Sequence, residues 1–266
     1  MNSFVHLHNH SHYSLLDGLT KIDDLLVQVE NLKMNAVAVT DHGNLYGAIE
    51  FYKKALAAKI KPILGIEAYI TPGNHKEKKQ THEEKYFHLI LLVENNTGWK
   101  NLLKLVTKSY LDGFYYKPRM DKNLLREHHE GLIALSACLS GEVSRLLVAD
   151  RYEDAKKIAL EYNEIFGAGN YFLEIGHHPA IKETLKANAG ILQIAKETGI
   201  PLVATQDAHY LTREDAEYHD ILLAVQTGDQ TSNANRLSLK SEDFSLRSSD
   251  EMAGYFTNTP EALENT

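Results

Sequence analysis

The chain has 266 residues, 43% of them hydrophobic, so it can bury one large core or two small ones. Its net charge of −8 argues against a generic basic nucleic-acid surface, although bound divalent cations can reverse the sign of a site locally. The apolar runs are too short to cross a bilayer, MNSFVHLH carries no secretory pattern, and a single cysteine excludes an internal disulfide framework, so a cytoplasmic protein with no membrane partner is expected.

FVHLH at the start reads as a strand, which would put His6, His8, His10 and His12 on one face. A helix follows over 21–34, with Ile22, Leu25, Leu26, Val29 and Leu32 at helical spacing. AVAVTDH is a β-branched strand, and the next helix is expected over about 45–59. ILGIEAYI (63–70) and YFHLILLV (86–93) are strands joined by a charged connection, KEKKQTHEEK, expected to be solvated. A helix over 98–111, a short one near 122–127 and the strand LIALSAC (132–138) come next. Helical segments over 141–166, strand YFLEI (171–175), a helix over 180–198, strand PLVAT (201–205) and a helix over 213–225 complete the pattern.

About seven strands alternating with helices predict a parallel α/β architecture, open or closed. Residues able to bind metals gather where the strands stop, and this favours a barrel, in which all strand ends meet at one mouth. His8 and His10 close the first strand and Asp17 the loop after it; Asp41 and His42 end the second. Glu67 belongs to the third, His88 to the fourth and Cys138 to the fifth; His177 and His178 follow the sixth, Asp207 and His209 the seventh. Imidazole, carboxylate and thiolate are the ligands of first-row metals. Taken singly, Cys138 reads as a small buried hydrophobe, Asp41 and Glu67 as caps or turn residues, and His88 as a core histidine. Independent caps do not explain the same chemistry at nearly every strand end.

The segments FVHLHNHS, YSLLDG, AVTDHGN, KPILGIEAY, FHLILLVENNTGWKNL, GFYYKPRMD and ATQDAHYL, in this order, resemble the PHP (polymerase and histidinol phosphatase) domain family, in the form found at the N-terminus of bacterial replicative DNA polymerase III alpha subunits. The resemblance runs from Phe4 to PEALENT. It implies a distorted seven-stranded TIM-like (β/α)7 barrel over 1–250, with 251–266 a tail leading towards a polymerase region absent from this chain. It also implies three divalent metal ions held by His8, His10, Asp17, His42, Glu67, His88, Cys138, Asp207 and His209. All nine positions carry competent ligands; Glu67 suits a bridging role, while His6 and Asp41 are expected to support the ligands from behind. Mixed donors of this kind favour zinc or manganese over magnesium, with iron a further option.

Clustered divalent ions activate a bound water, giving a metal-held hydroxide as nucleophile, and neutralise a phosphate; no separate general base can be named. The resemblance implies a proofreading 3′–5′ exonuclease acting on a DNA 3′ end, single-stranded or frayed, beside the rest of the polymerase chain and replisome proteins. GFYYKPR offers Tyr115 and Tyr116 for stacking and Lys117 and Arg119 for phosphate, with His178 a further substrate contact. The stretch 231–248, with Arg236, Lys240 and Arg247, departs from the family's aromatic-rich form. Two other classes remain: a non-catalytic scaffold for the polymerase or a partner exonuclease, and a small-molecule phosphatase of the histidinol-phosphate type. YSLLDG and GFYYKPRMD disfavour the phosphatase. His88 fits a parallel barrel badly, because it lies near the start of its strand.

Overall fold

The computed structural model describes residues 4–78, 86–233 and 235–266. One sheet contains β1 (Ala36–Val39), β2 (Lys61–Ile70), β3 (Phe87–Val93), β4 (Phe114–Tyr115), β5 (Lys117–Met120), β6 (Leu132–Leu135), β7 (Tyr171–Gly176) and β8 (Leu202–Thr205). The first half of β2 pairs with β1 in parallel, its end pairs with β5, and its other edge takes β3. The sheet then continues through β6, β7 and β8.

Residues 4–10 form an extended ribbon rather than a regular strand, and this ribbon closes the ring. On one side Ala38 donates to the His6 carbonyl and Thr40 to the Asn9 carbonyl; on the other His10 donates to Ala208 and Ala208 to His8. Ribbon, β1, β2, β3, β6, β7 and β8 are the seven staves of a distorted barrel, and β4–β5 is an outlying hairpin that the sequence pattern did not signal.

Strand direction is where the parallel expectation fails. β3 runs antiparallel to both β2 and β6. A parallel return needs a crossover of a dozen or more residues, usually helical. Among the described residues between β2 and β3 there is no helix, so the chain turns back as a hairpin would. The start of β3 therefore lies beside the end of β2, with His88 opposite Tyr69, which puts His88 at the mouth. Of the charged connection, residues 79–85 lie outside the described residues.

Ten helices surround the staves among the described residues: α1 (Ile22–Asn31), α2 (Ala48–Ala57), α3 (Asn96–Leu111), α4 (Lys122–His128), α5 (Glu142–Val148), α6 (Tyr152–Phe166), α7 (Lys182–Thr198), α8 (Ala216–Thr227), α9 (Ser249–Tyr255) and α10 (Pro260–Glu264). α1 buries Ile22, Leu25, Leu26 and Val29, the stripe its spacing predicts, in the same cluster as Val37 and Val39 of β1. The alternate residues Ala36 and Ala38 join Val5, Leu7, Ile90, Leu92, Leu135 and Val203 in a separate apolar plug. Two residues further along the same faces, the side chains turn polar: Thr40 after Ala38, His88 before Ile90, Glu174 after Phe172 and Thr205 after Val203. The plug thus floors a polar mouth.

Residues 251–266, expected as a tail, pack as part of the barrel wall. Met252, Phe256, Ala262 and Leu263 enter the main core, Asn265 donates to the Leu202 carbonyl, and Val5 donates to the Thr266 hydroxyl.

Candidate metal centre

The mouth brings eight of the nine expected ligands into three overlapping groups: His10, Asp17, His42 and His209; His8, His10 and Asp207; and His42, Glu67 and His88. Glu67, on the end of β2, is the hub. Its Oε1 lies 3.4 Å from His8 Nε2 and 2.7 Å from His88 Nδ1, and its Oε2 lies 3.3 Å from His10 Nε2 and 2.7 Å from His42 Nδ1. Asp207 Oδ1 approaches His8 Nε2 at 3.0 Å and His10 Nε2 at 3.3 Å. Asp17 Oδ2 stands 3.1 Å from His42 Nε2 and 3.2 Å from His209 Nε2. Cys138 belongs to none of the three groups among the described residues; its Sγ is 3.9 Å from Glu67 Oε1.

Hydrogen bonds behind the ring fix which nitrogen faces inward. His8 Nδ1 lies 2.7 Å from Glu174 Oε1, which also accepts from the Thr205 hydroxyl at 2.6 Å. His209 Nδ1 lies 2.7 Å from the Asp207 carbonyl. His10 Nδ1 lies 2.9 Å from Ser14 Oγ, and that hydroxyl donates to Asp41. In each case, in the neutral ring that a metal would require, an Nδ1 proton leaves the Nε2 lone pair turned to the centre. The backbone bends sharply to present these groups: Leu16, Ala137 and Asp207, each at or just before an expected ligand, have φ of 61°, 63° and 51°. Left-handed backbone is uncommon outside glycine and clusters at functional sites.

The charges are mutually tuned. Burial disfavours the charge on His8, but Asp207, Glu174 and Glu67 outweigh it and raise its pKa well above the usual value. Against the same burial, Glu67 and Asp17 lift His42 to about 10, and Asp17 and Asp207 lift His209 to about 9. Burial pushes Asp17 and Glu67 up, yet their histidine neighbours hold both well below the carboxylate range. Cys138 is pushed well up, by burial first and then by Asp207 and Glu67.

Outside the ring, the expected residues separate. Asp41 reaches His10 through Ser14 and also binds Ser11. His6 turns the other way: its Nε2 is 3.0 Å from the Arg247 carbonyl, its ring meets Phe4 edge-on, and burial lowers its pKa to about 4. The alternation of the ribbon breaks between Leu7 and His8, both of which face inward, so the even-numbered histidines do not share one face. His12 packs on Tyr13.

Of the residues expected at substrate, Arg119 is buried, its guanidinium donating to the carbonyls of Gly113, His75 and Glu77. It ties the β4–β5 hairpin down and is not free to hold a phosphate. Tyr115 lies against it, 5.2 Å from ring centre to guanidinium. Tyr116 is exposed at the hairpin turn, and Lys117 Nζ lies 5.3 Å from the Tyr69 ring, which itself stacks on His42. His178 is buried, stacked on Phe244 at 4.3 Å. In the 231–248 stretch, Arg236 pairs with Asp220, and Arg247 with Asp243 and Glu251. Sequence reasoning missed Glu174, Ser14 and Phe244. Only Glu174 left a signal, as the lone charge in YFLEI.

The PHP domain family matches residues 6–178. Over 99% of its length the chain is 48% identical to the DNA polymerase III subunit alpha of Borreliella burgdorferi and 44% identical to that of Treponema pallidum, covering 23% of each. The chain therefore spans about a quarter of the length of these relatives. Among solved structures, an amidohydrolase from Chromobacterium violaceum shares the fold with a TM-score of 0.50 at 12% identity, over 79% of this chain and 88% of that one.

Proposed function

The chain belongs to the PHP domain family, and from that premise we propose that its mouth is a multinuclear divalent-metal centre that hydrolyses phosphodiesters, as a 3′–5′ exonuclease acting on an unpaired DNA 3′ end. The observation that carries the reading is the spacing of the donor atoms. In a tetrahedral site with bonds of about 2.0–2.1 Å, donor atoms stand roughly 3.3 Å apart. Asp17 with His42 and His209, and Asp207 with His8 and His10, are spaced at 3.0–3.3 Å. Moreover, Asp17 Oδ2, Asp207 Oδ1 and His42 Nδ1 are buried without a hydrogen-bond partner, one in each of the three groups, as atoms that ligate cations would be. The residues fit the metal.

The three groups overlap at His10 and His42, each of which would serve one ion, and together with the Glu67 carboxylate they would hold three ions. Nitrogen and oxygen donors with a thiol at the edge suit zinc or manganese, with iron as an alternative. Ions bound there supply an activated water and neutralise the phosphate and the leaving oxygen. The chain's own part is to fix the ligands. Glu174, Ser14 and the Asp207 carbonyl hold three imidazoles in one orientation, and the apolar plug excludes water from beneath them. Lys117 and Tyr116, on the hairpin beside Tyr69 and His42, are the cation and aromatic surface for the approaching strand. By similarity to the polymerase III alpha subunits, the rest of such a polymerase chain is the proposed covalent partner, replisome proteins are proposed as further partners, and the cytoplasm is the proposed place of action. No described helix is long and apolar enough to cross a membrane.

The test is metal analysis combined with digestion of a 3′-mismatched primer by protein loaded with Mn²⁺ or Zn²⁺. Shortening is expected, with Asp207→Asn reducing it at least about a hundredfold while the fold is kept. An intact primer together with a poorly folded Asp207→Asn variant would favour the scaffold. Phosphate release from histidinol phosphate would favour the small-molecule phosphatase.

A further inference from the structure

The ligand ring is not the end of the mouth. A cavity of about 360 Å³ opens from His42, Glu67, His88, Asp207 and His209 and runs sideways under α7, well beyond the space that ions would fill. Its far part changes character. Ile181 and Ile191 of the α7 segment, Leu237 and Leu239 line it together with the stacked rings of His178 and Phe244, the latter beside His209. Ser140, Ser144, Thr184 and Asn188 are polar residues among this lining. Phosphate hydrolysis requires none of this. A chamber of such volume, mostly apolar with a few polar groups, has the form of an organic-ligand pocket.

From this we infer that the chamber receives the nucleobase of the terminal nucleotide while its phosphate lies at the ligand ring, an inference that rests on the phosphodiester reading above. Three features select a base over other groups. The walls are apolar and include an aromatic pair, which suits a flat heterocycle that gains by stacking. The hydroxyls of Ser144 and Thr184 can meet the polar edge of such a ring, whereas a sugar would leave the aliphatic walls unmatched. The chamber also shares one space with the ring of ligands, so base and phosphate of a single nucleotide can be held together. An enclosed base cannot remain paired. The substrate end must be unpaired, so selection of frayed or mismatched ends follows from the cavity itself.

Calorimetry on the metal-loaded protein compares thymidine 5′-monophosphate with 2-deoxyribose 5-phosphate, which carries the same phosphate and no base. Binding about tenfold tighter is expected for the nucleotide. Leu239→Trp fills the chamber from its half-exposed rim, and it should abolish that preference while leaving the sugar phosphate unaffected. Leu237→Trp, at an exposed position, should act in the same direction and guards against a folding defect in the first variant. Equal affinities in the wild-type protein, or a preference that survives both substitutions, would overturn the inference. Primer digestion fails or succeeds separately. A base-selective but inert protein would uphold the chamber and sink the exonuclease, and an active protein without base selectivity would sink the chamber alone.

Discussion

His8 is held from both sides: Asp207 and Glu67 stand in front of its Nε2, and Glu174 stands behind its Nδ1. Replacing Glu174 with Gln keeps the shape but removes the charge, and lets an amide NH₂ face the ring as readily as an oxygen. Such partners behind metal ligands typically contribute 10- to 100-fold in affinity. Glu174→Gln should therefore weaken metal binding about tenfold or more in chelator competition, with little change in the secondary structure. Unchanged affinity would reduce Glu174 to a core carboxylate satisfied by Thr205. The same scale shows what the sequence can and cannot reveal. The convergence of His8, His10, Asp17, His42, Glu67, His88, Asp207 and His209 was legible because residues of liganding chemistry recur at successive strand ends in a recognisable order. Glu174 was hidden by its apolar neighbours. Arg119 misled because KPR looks like a cationic surface, and only the fold reveals that three carbonyls occupy its guanidinium. His6 misled because a two-residue period cannot anticipate a break in the ribbon.

Between residues and the barrel lie the helices and strands, which periodicity located well, from the α1 stripe to α6 and α7. Strand direction was not legible in the same way, since it depends on what the connection contains and which edge is free. The β3 reversal is what delivers His88 to Glu67. Close approach of elements is similarly invisible until the backbone is seen. α3 begins under an Asn95 cap whose Oδ1 accepts from Thr97 and Gly98, and Gly98 there presses on the turn before β6. A Cβ at Gly98 would stand 1.7 Å from the Gly131 carbonyl oxygen, closer than any real contact. Alanine is ordinarily about 1 kcal/mol better than glycine in a helix, but overpacking against backbone costs about 1–3 kcal/mol or more. Gly98→Ala should thus lower stability by about 2 kcal/mol, which for a chain of this size is a fall in Tm of roughly 4–8 °C. A denaturation curve showing stabilisation would mean that α3 can slide away from Gly131 at no cost.

For the whole molecule the question is what closes the barrel. The seam is the ribbon 4–10, joined to β1 and to Ala208 by a few backbone hydrogen bonds rather than a full ladder on either side. The candidate ligands lie on both sides of that seam: His8 and His10 on the ribbon, His42 after β1, and Asp207 and His209 after β8. A cation shared among them would act as a cross-link between segments some two hundred positions apart in the chain. Binding to the folded state alone adds about 2.7 kcal/mol per site at a hundredfold excess over Kd, or roughly 5–10 °C in Tm for a chain of this length. Chelation should lower Tm by about that much at neutral pH, and by less as pH falls, because imidazole must be unprotonated to ligate and protons then displace the metal from the folded protein. The loss should also be local. Amide exchange of His10, Ala38, Thr40 and Ala208, whose hydrogen bonds make the seam, should accelerate before that of β3 and β6, which are locked by full ladders. A chelator that leaves Tm unchanged, or that speeds exchange evenly over all staves, would mean that the seam holds without metal and that the ring of ligands serves chemistry alone.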